Sequence, residues 1–360
     1  MNIAIALLIL SLLIFFHEWG HFIAARAFGI KVERFSIGFG KMLISKRFGD
    51  TDWVISLIPL GGYVKMKGQS DSNPLEKSYD SDSYNSKTPL QRILILLAGP
   101  FANLFVAFSL YFTLSQMGTY LSPLFDYSHY ISPTIGAFSD DSPAERAGLK
   151  VGDRVLTIDG IEVERWDDIK SIIESKDGNN LRFTLLRGGE KLEFDIRPTL
   201  KSLKNRFGEV VERKVVGIAP DIPNEKLQFS PIEGLKFAYH ETLNASTLIF
   251  QSIQKLITGA VSSKELGGVI SIVDITAKAT ESGIAVLILF TALISVNLGI
   301  LNLLPIPALD GGHIAFNLYE AITKRHPDEN IMYRLTIIGW IILLGLMALG
   351  IYNDINRIVG

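Results

Sequence analysis

The chain has no cysteine. That removes disulfides and thiolate metal sites together, so any metal must be held by His, Asp or Glu. A block of Lys and Arg is also missing, and the formal charge is only −2. Without clustered positive charge nothing neutralises a run of phosphates, and nucleic acid is set aside as a partner. Charged residues are 20% of the chain and hydrophobic ones 48%, with a mean hydropathy of +0.28. This average conceals a segregation. Very apolar runs lie at both ends and near residue 100, whereas the stretch from about 120 to 230 reads as an ordinary charged globular domain. A membrane protein carrying a soluble insert accounts for both.

Four segments supply the ~20 apolar residues that a bilayer core of ~30 Å requires: 1–28, 90–117 with Gly99-Pro100 interrupting it, 283–304, and 331–352. A cleaved leader would begin with Lys or Arg and end in a small-residue cut site. The first segment has neither before it reaches His17 and Glu18, so an uncleaved span is expected. Lys and Arg concentrate between the first two spans, from Arg26 to Arg92, and recur as Lys324 and Arg325 before the fourth. The positive-inside rule makes both loops cytoplasmic. The 118–282 region then faces outward.

Between the first two spans, residues 29–68 alternate as strands, broken by Gly38-Phe39-Gly40, Gly49-Asp50 and Pro59-Leu60-Gly61-Gly62, which predicts a small antiparallel sheet. Residues 69–89 are rich in Ser, Asp and Asn and read as a polar linker. The string Ser142-Pro143-Ala144-Glu145-Arg146-Ala147-Gly148-Leu149, followed by Gly152-Asp153 and Asp159-Gly160, resembles a PDZ domain over 132–199, which would serve either as a size-excluding sieve or as a peptide-binding groove beside strand 134–138 and helix 166–175. Residues 200–282 read as an amphipathic connecting region.

The first span contains His17-Glu18-Trp19-Gly20-His21. Helical residues four apart share a face, so both imidazoles can reach one metal ion while Glu18 reaches water. Such a pattern is common by chance, but ionisable groups inside a span cost several kcal/mol unless they line a functional cavity. A snorkelling cluster at the membrane edge suits Lys or Arg better. Catalytic zinc wants three protein ligands and an open position, and Asp310 is the candidate third. It follows Asn302-Leu303-Leu304-Pro305-Ile306-Pro307-Ala308-Leu309, where two prolines force irregular backbone at membrane depth. Its plainer reading is a helix N-cap. His313 as a fourth ligand would close the site to water, so it is read as a supporting or structural residue. His129, His240 and His326 sit in polar contexts and read as surface residues.

Taken together, HEWGH in the first span, LNLLPIPALDGGH at the end of the third, the GFG and PLGGYVKM segments and one PDZ-like domain resemble the bacterial site-2 proteases of the regulator-of-sigma-E protease type. The likeness covers nearly the whole chain but departs in having one PDZ domain instead of two. It implies a polytopic α-helical membrane protein with four transmembrane helices, a membrane-reentrant β-sheet and one extracytoplasmic PDZ (α+β) domain, in the bacterial inner membrane. It implies that His17, His21 and Asp310 hold Zn²⁺ and that Glu18 is general base and acid. Asn302, Pro305 and Pro307 would position substrate, and Gly61, Gly62 and Tyr63 would belong to an edge strand pairing with it. The implied substrates are single-span membrane proteins or peptides already cut by another protease, of the anti-sigma-factor or remnant-signal-peptide class.

Two other readings remain at this level. A metalloprotease with a cytosolic active site would need a downstream Glu, and Glu33 is nearest. A PDZ-based membrane scaffold would leave the HExxH without catalytic use.

Overall fold

In the computed structural model, the described residues are 2–69, 78, 80–118, 127–176, 180–205, 209–222 and 229–359. They divide into two compact units, Met1–Met117 with Phe229–Gly360, and Gly118–Gln228. In chain order the elements are α1 (Asn2–Ala27), β1 (Val32–Phe48), β2 (Thr51–Met66), α2 (Pro89–Met117), β3 (Ile135–Phe138), α3 (Pro143–Arg146), β4 (Arg154–Ile158), β5 (Ile161–Glu162), α4 (Trp166–Ser175), β6 (Leu181–Arg187), β7 (Glu190–Ile196), β8 (Thr199–Lys204), β9 (Val210–Val215), β10 (Ile218–Pro220), α5 (Pro231–Ile257), α6 (Val269–Glu281), α7 (Ile284–Asn302), α8 (Asp310–Thr323) and α9 (Glu329–Val359).

Within the first unit α1, α2, α7 and α9 are long and apolar enough to cross a membrane. The core lies where α2 packs against α1 and α7. Glycine permits that approach: a Cβ at Gly20 would stand 2.2 Å from the Ala98 carbonyl oxygen, and one at Gly299 would stand 3.1 Å from that of Pro100. The fourth span extends from Glu329 to Val359, beyond the 331–352 read from hydropathy. Its last turns carry buried Asn353 and Asp354, which bind the segment before α6. Asn353 donates to the Ser263 and Leu266 carbonyls, and Asp354 accepts from the Gly268 and Ser271 amides.

The β1–β2 region folds back on itself. Residues 34–37 match 62–65 on one side (Ser36 opposite Tyr63) and 52–55 on the other (Ser36 opposite Val54), while 44–48 pair with 51–55. The segment through Gly62-Tyr63-Val64 is therefore at one edge and 42–48 at the other. Aromatic rings fasten the sheet to α1: Trp19 and Phe22 meet Trp53 at centroid distances of 6.0 and 5.3 Å, and Phe35 stacks on Trp53 at 4.8 Å. The outer part, with Phe39, Met42, Leu43, Ile44 and Phe48, exposes its apolar side chains. Of the 69–89 linker, residues 70–77 and 79 lie outside the described residues. Tyr84 near its end is buried and helps form the core with Ile30 and Ile95.

In the second unit the four-stranded sheet runs β5-β4-β6-β7. Its core contains Val155, Ile158, Phe183, Leu185 and Ile196, with Ile169, Ile172 and Ile173 of α4. Asp159 and Gly160 turn β4 into β5 with φ of 50° and 76°, the pair of left-handed residues a two-residue hairpin needs. Residues 200–220 differ from the connecting region read in sequence. They form β8, β9 and β10, and β10 pairs with β3 through Ala219 opposite Ala137. The 132–199 boundary thus cuts through a paired sheet. Strand β3 pairs with β10 on one side, and Thr134 just before it bridges to Arg154 of β4.

Candidate metal centre

The His-Glu-Trp-Gly-His segment divides its side chains between faces of α1. Trp19 and Phe22 turn to the sheet, whereas His17 and His21 turn toward α2 and are buried. Asp310 reaches them from the start of α8. The Nε2 atoms of His17 and His21 are 3.2 Å apart, and Asp310 Oδ2 lies 3.2 Å from the first and 3.3 Å from the second.

That triangle is informative. A tetrahedral zinc ion with bonds of about 2.0 Å holds its ligand atoms about 3.3 Å from one another. Asp310 Oδ2 is buried and makes no hydrogen bond of proper geometry, although it is at ion-pair distance from both imidazoles. Two imidazole nitrogens and a carboxylate oxygen aimed at one point are accounted for by a cation between them. Among the described residues these three form the group able to hold a metal ion. Asp310 is the first residue of α8, whose cap is Leu309 and has no side-chain capping bond. The N-cap reading of Asp310 therefore falls, and its carboxylate is free to face the histidines while gaining from the helix dipole.

The irregular backbone before α8 is set by close packing. A Cβ at Gly311 would be 2.3 Å from the Leu303 and Leu304 carbonyl oxygens, one at Gly312 would be 2.4 Å from that of Ile306, and one at Gly339 of α9 would be 2.4 Å from that of Pro307. Three glycines thus let α8 and α9 close on the loop that delivers Asp310.

The metal group opens on a cavity of about 430 Å³ whose lining includes His17, Glu18, His21, Gly62, Tyr63, Asn302, Asp310 and His313. Gly61, Pro305 and Pro307 are not in that lining. Glu18 lies beside the sheet edge, since a Cβ at Gly62 would stand 3.3 Å from Glu18 Cγ. Lining residues that the sequence reading passed over are Trp340 and Thr336 of α9. Glu33, the alternative third ligand, is paired with Lys65 at 3.1 Å and lies outside the metal group. His129 and His326 are substantially exposed and meet Asp167 and Glu320, and His240 is exposed.

The surroundings of the histidines come from α2. His21 Nδ1 is 2.9 Å from the Ile95 carbonyl oxygen, and His17 Nδ1 is 3.2 Å from the side-chain amide of buried Asn103. Asn103 was missed in sequence, although a polar amide within an apolar span was a readable sign.

Residues 5–346 match the sequence profile of Peptidase family M50. This chain belongs to peptidase family M50. Among the M50 peptidase's relatives is a Campylobacter jejuni protein, 45% identical over 98% of this chain and 93% of its own length. Another, from Helicobacter pylori strain J99, is 37% identical over 99% of both, and one from Rickettsia conorii is 36% identical over 97% of both. All three carry the name "putative zinc metalloprotease". A PDZ domain of an SdrC-like protein from Listeria monocytogenes overlaps 25% of this chain and 88% of its own, at 24% identity and a TM-score of 0.21. As an M50 member with this donor set the chain is a zinc metalloprotease, and its four apolar helices make it a multi-pass membrane protein.

Proposed function

We propose that this M50 peptidase cuts membrane-embedded segments of single-span proteins or peptides. The observation that carries the reading is the triangle of donors with edges of 3.2 and 3.3 Å built partly on an apolar spanning helix. In this reading His17, His21 and Asp310 are the zinc ligands. A zinc ion held by these three residues would supply Lewis acidity toward a water and a carbonyl oxygen. Glu18, in the wall of the same cavity, takes the proton from the attacking water and returns it to the leaving amine.

A substrate helix hides its carbonyls in hydrogen bonds, so a local extended stretch must come first. The edge segment at Gly62 and Tyr63, beside Glu18, can pair with such a stretch by strand addition. Asn302 in the cavity wall supplies an amide for its backbone, and Pro305 and Pro307 keep the loop behind it irregular. Gly61 gives the edge its bend, with a φ of 126°. Helix-breaking residues in the substrate favour cleavage.

In this reading the Lys- and Arg-rich loops face the cytoplasm of a bacterial inner membrane, in line with the positive-inside rule, and the metal centre lies toward that side. Substrates shortened beforehand by another protease, such as anti-sigma factors or remnant signal peptides, fit a site of this depth. The scaffold alternative has no use for Glu18. The test is mass-spectrometric mapping of the cut in a single-span substrate co-reconstituted with the purified enzyme in liposomes. A cut inside the apolar segment supports the proposal, and cuts confined to the soluble flanks overturn it.

A further inference from the structure

The unexplained group at the metal centre is the side chain of Asn103. It is fully buried in α2, its backbone carbonyl accepts a 2.7 Å hydrogen bond from Ser295 Oγ of α7, and its Oδ1 is buried without a hydrogen-bond partner. Its Nδ2 faces His17 Nδ1 at 3.2 Å.

That orientation conflicts with the rest of the site. His17 directs Nε2 at His21 Nε2 and Asp310 Oδ2. A neutral imidazole offering a lone pair at Nε2 carries its proton on Nδ1. Nδ1–H then needs an acceptor, and an amide NH₂ is a donor. Turning the amide by half a revolution, a choice decided by hydrogen-bond logic because the two orientations are nearly isosteric, brings Oδ1 to Nδ1–H and gives the orphaned oxygen a partner. His21 already has this arrangement, because its Nδ1 meets the Ile95 carbonyl oxygen at 2.9 Å.

We propose that Asn103 is a positioning residue that accepts the His17 Nδ1–H bond through Oδ1 and so holds His17 in the tautomer and ring orientation that presents Nε2 to zinc. The proposal rests on the reading of His17, His21 and Asp310 as zinc ligands. Helix α2 then fixes both imidazoles, one through a backbone carbonyl and one through an amide side chain. Loss of such an outer hydrogen bond weakens metal binding by about 10–100-fold.

The experiment is zinc affinity of the purified full-length protein, by competition with a chromogenic chelator, for the wild type, Asn103→Leu, Asn103→Asp and Asp310→Ala, with thermal melting of each zinc-free form. A carboxylate can only accept at Nδ1–H, so Asn103→Asp separates acceptor from donor. The expected result is zinc binding weakened about 10–100-fold in Asn103→Leu and held near wild type in Asn103→Asp. Wild-type affinity in Asn103→Leu, or equal weakening in both variants, overturns the proposal. Since both comparisons use Asp310→Ala as reference, normal zinc binding in that variant instead overturns the ligand assignment beneath it.

Discussion

His21 lies so close to Gly99 that a Cβ at position 99 would stand 2.2 Å from its Nε2. No side chain other than hydrogen fits there without moving the imidazole or the helix. Gly99→Ala should therefore weaken zinc binding at least about tenfold, an effect comparable to the loss of a metal-orienting contact. Gly345→Ala, at a helix position where nothing lies within 4 Å, is the matched control and should bind zinc as the wild type does. Zinc content after dialysis against a weak chelator distinguishes the two.

Arg92 Nη2 and Glu320 Oε1 are 2.6 Å apart, with side chains only 10% and 12% exposed. The pair ties α8, which begins with Asp310, to the start of α2. Removing Glu320 leaves the buried Arg92 without its ion-pair partner, at a cost of about 3 kcal/mol, whereas removing Arg92 leaves Glu320 with His326 at 2.9 Å and costs less. Arg92→Met and Glu320→Met should each lower the melting temperature of the purified protein, and the double substitution should recover part of the loss.

The Asp153 carboxylate accepts two 2.7 Å hydrogen bonds from Arg187 and one of 2.8 Å from the Lys150 amide. Burial opposes its ionisation, but Arg187 and the amide prevail and hold its pKa below the usual carboxylate range. A carboxylate lowered on folding adds stability that is complete above its unfolded pKa of about 4 and drains away as pH falls through the folded value. Hydrogen-exchange protection factors over 181–196 in the full chain, corrected for the intrinsic rate at each pH, should fall below about pH 4. Asp153→Asn should lose about 2 kcal/mol at neutral pH and flatten that dependence.

Because β10 pairs with β3, the two possible excisions differ. Removing 132–199 leaves β8, β9 and β10 without β3, and should give aggregated protein on size exclusion. Removing 118–228 takes out one compact unit and should leave a monodisperse protein that still binds zinc. Cleavage of bulky, uncut substrates then rises if the unit is a size filter, and cleavage of all substrates falls if it recruits them.

What the sequence made legible was periodic or chemically expensive. The spans followed from length and hydropathy, helix 166–175 from the PDZ-like pattern around it, and the grouping of His17, His21 and Asp310 from the cost of such residues in an apolar setting. The return of β10 onto β3 was not legible. Ile218-Ala219-Pro220 is too short for a period, and its pairing depends on a partner far away in the chain. The glycines at 20, 99, 312 and 339 were equally silent, because a close approach shows only when the neighbouring backbone is placed.

The most direct test of the account is zinc content and cleavage measured on the same preparations of wild type, Glu18→Gln and Asp310→Ala. The account predicts one zinc per chain with no cleavage for Glu18→Gln, and loss of both for Asp310→Ala. Full zinc and full cleavage in Asp310→Ala, or unchanged cleavage in Glu18→Gln, would contradict it.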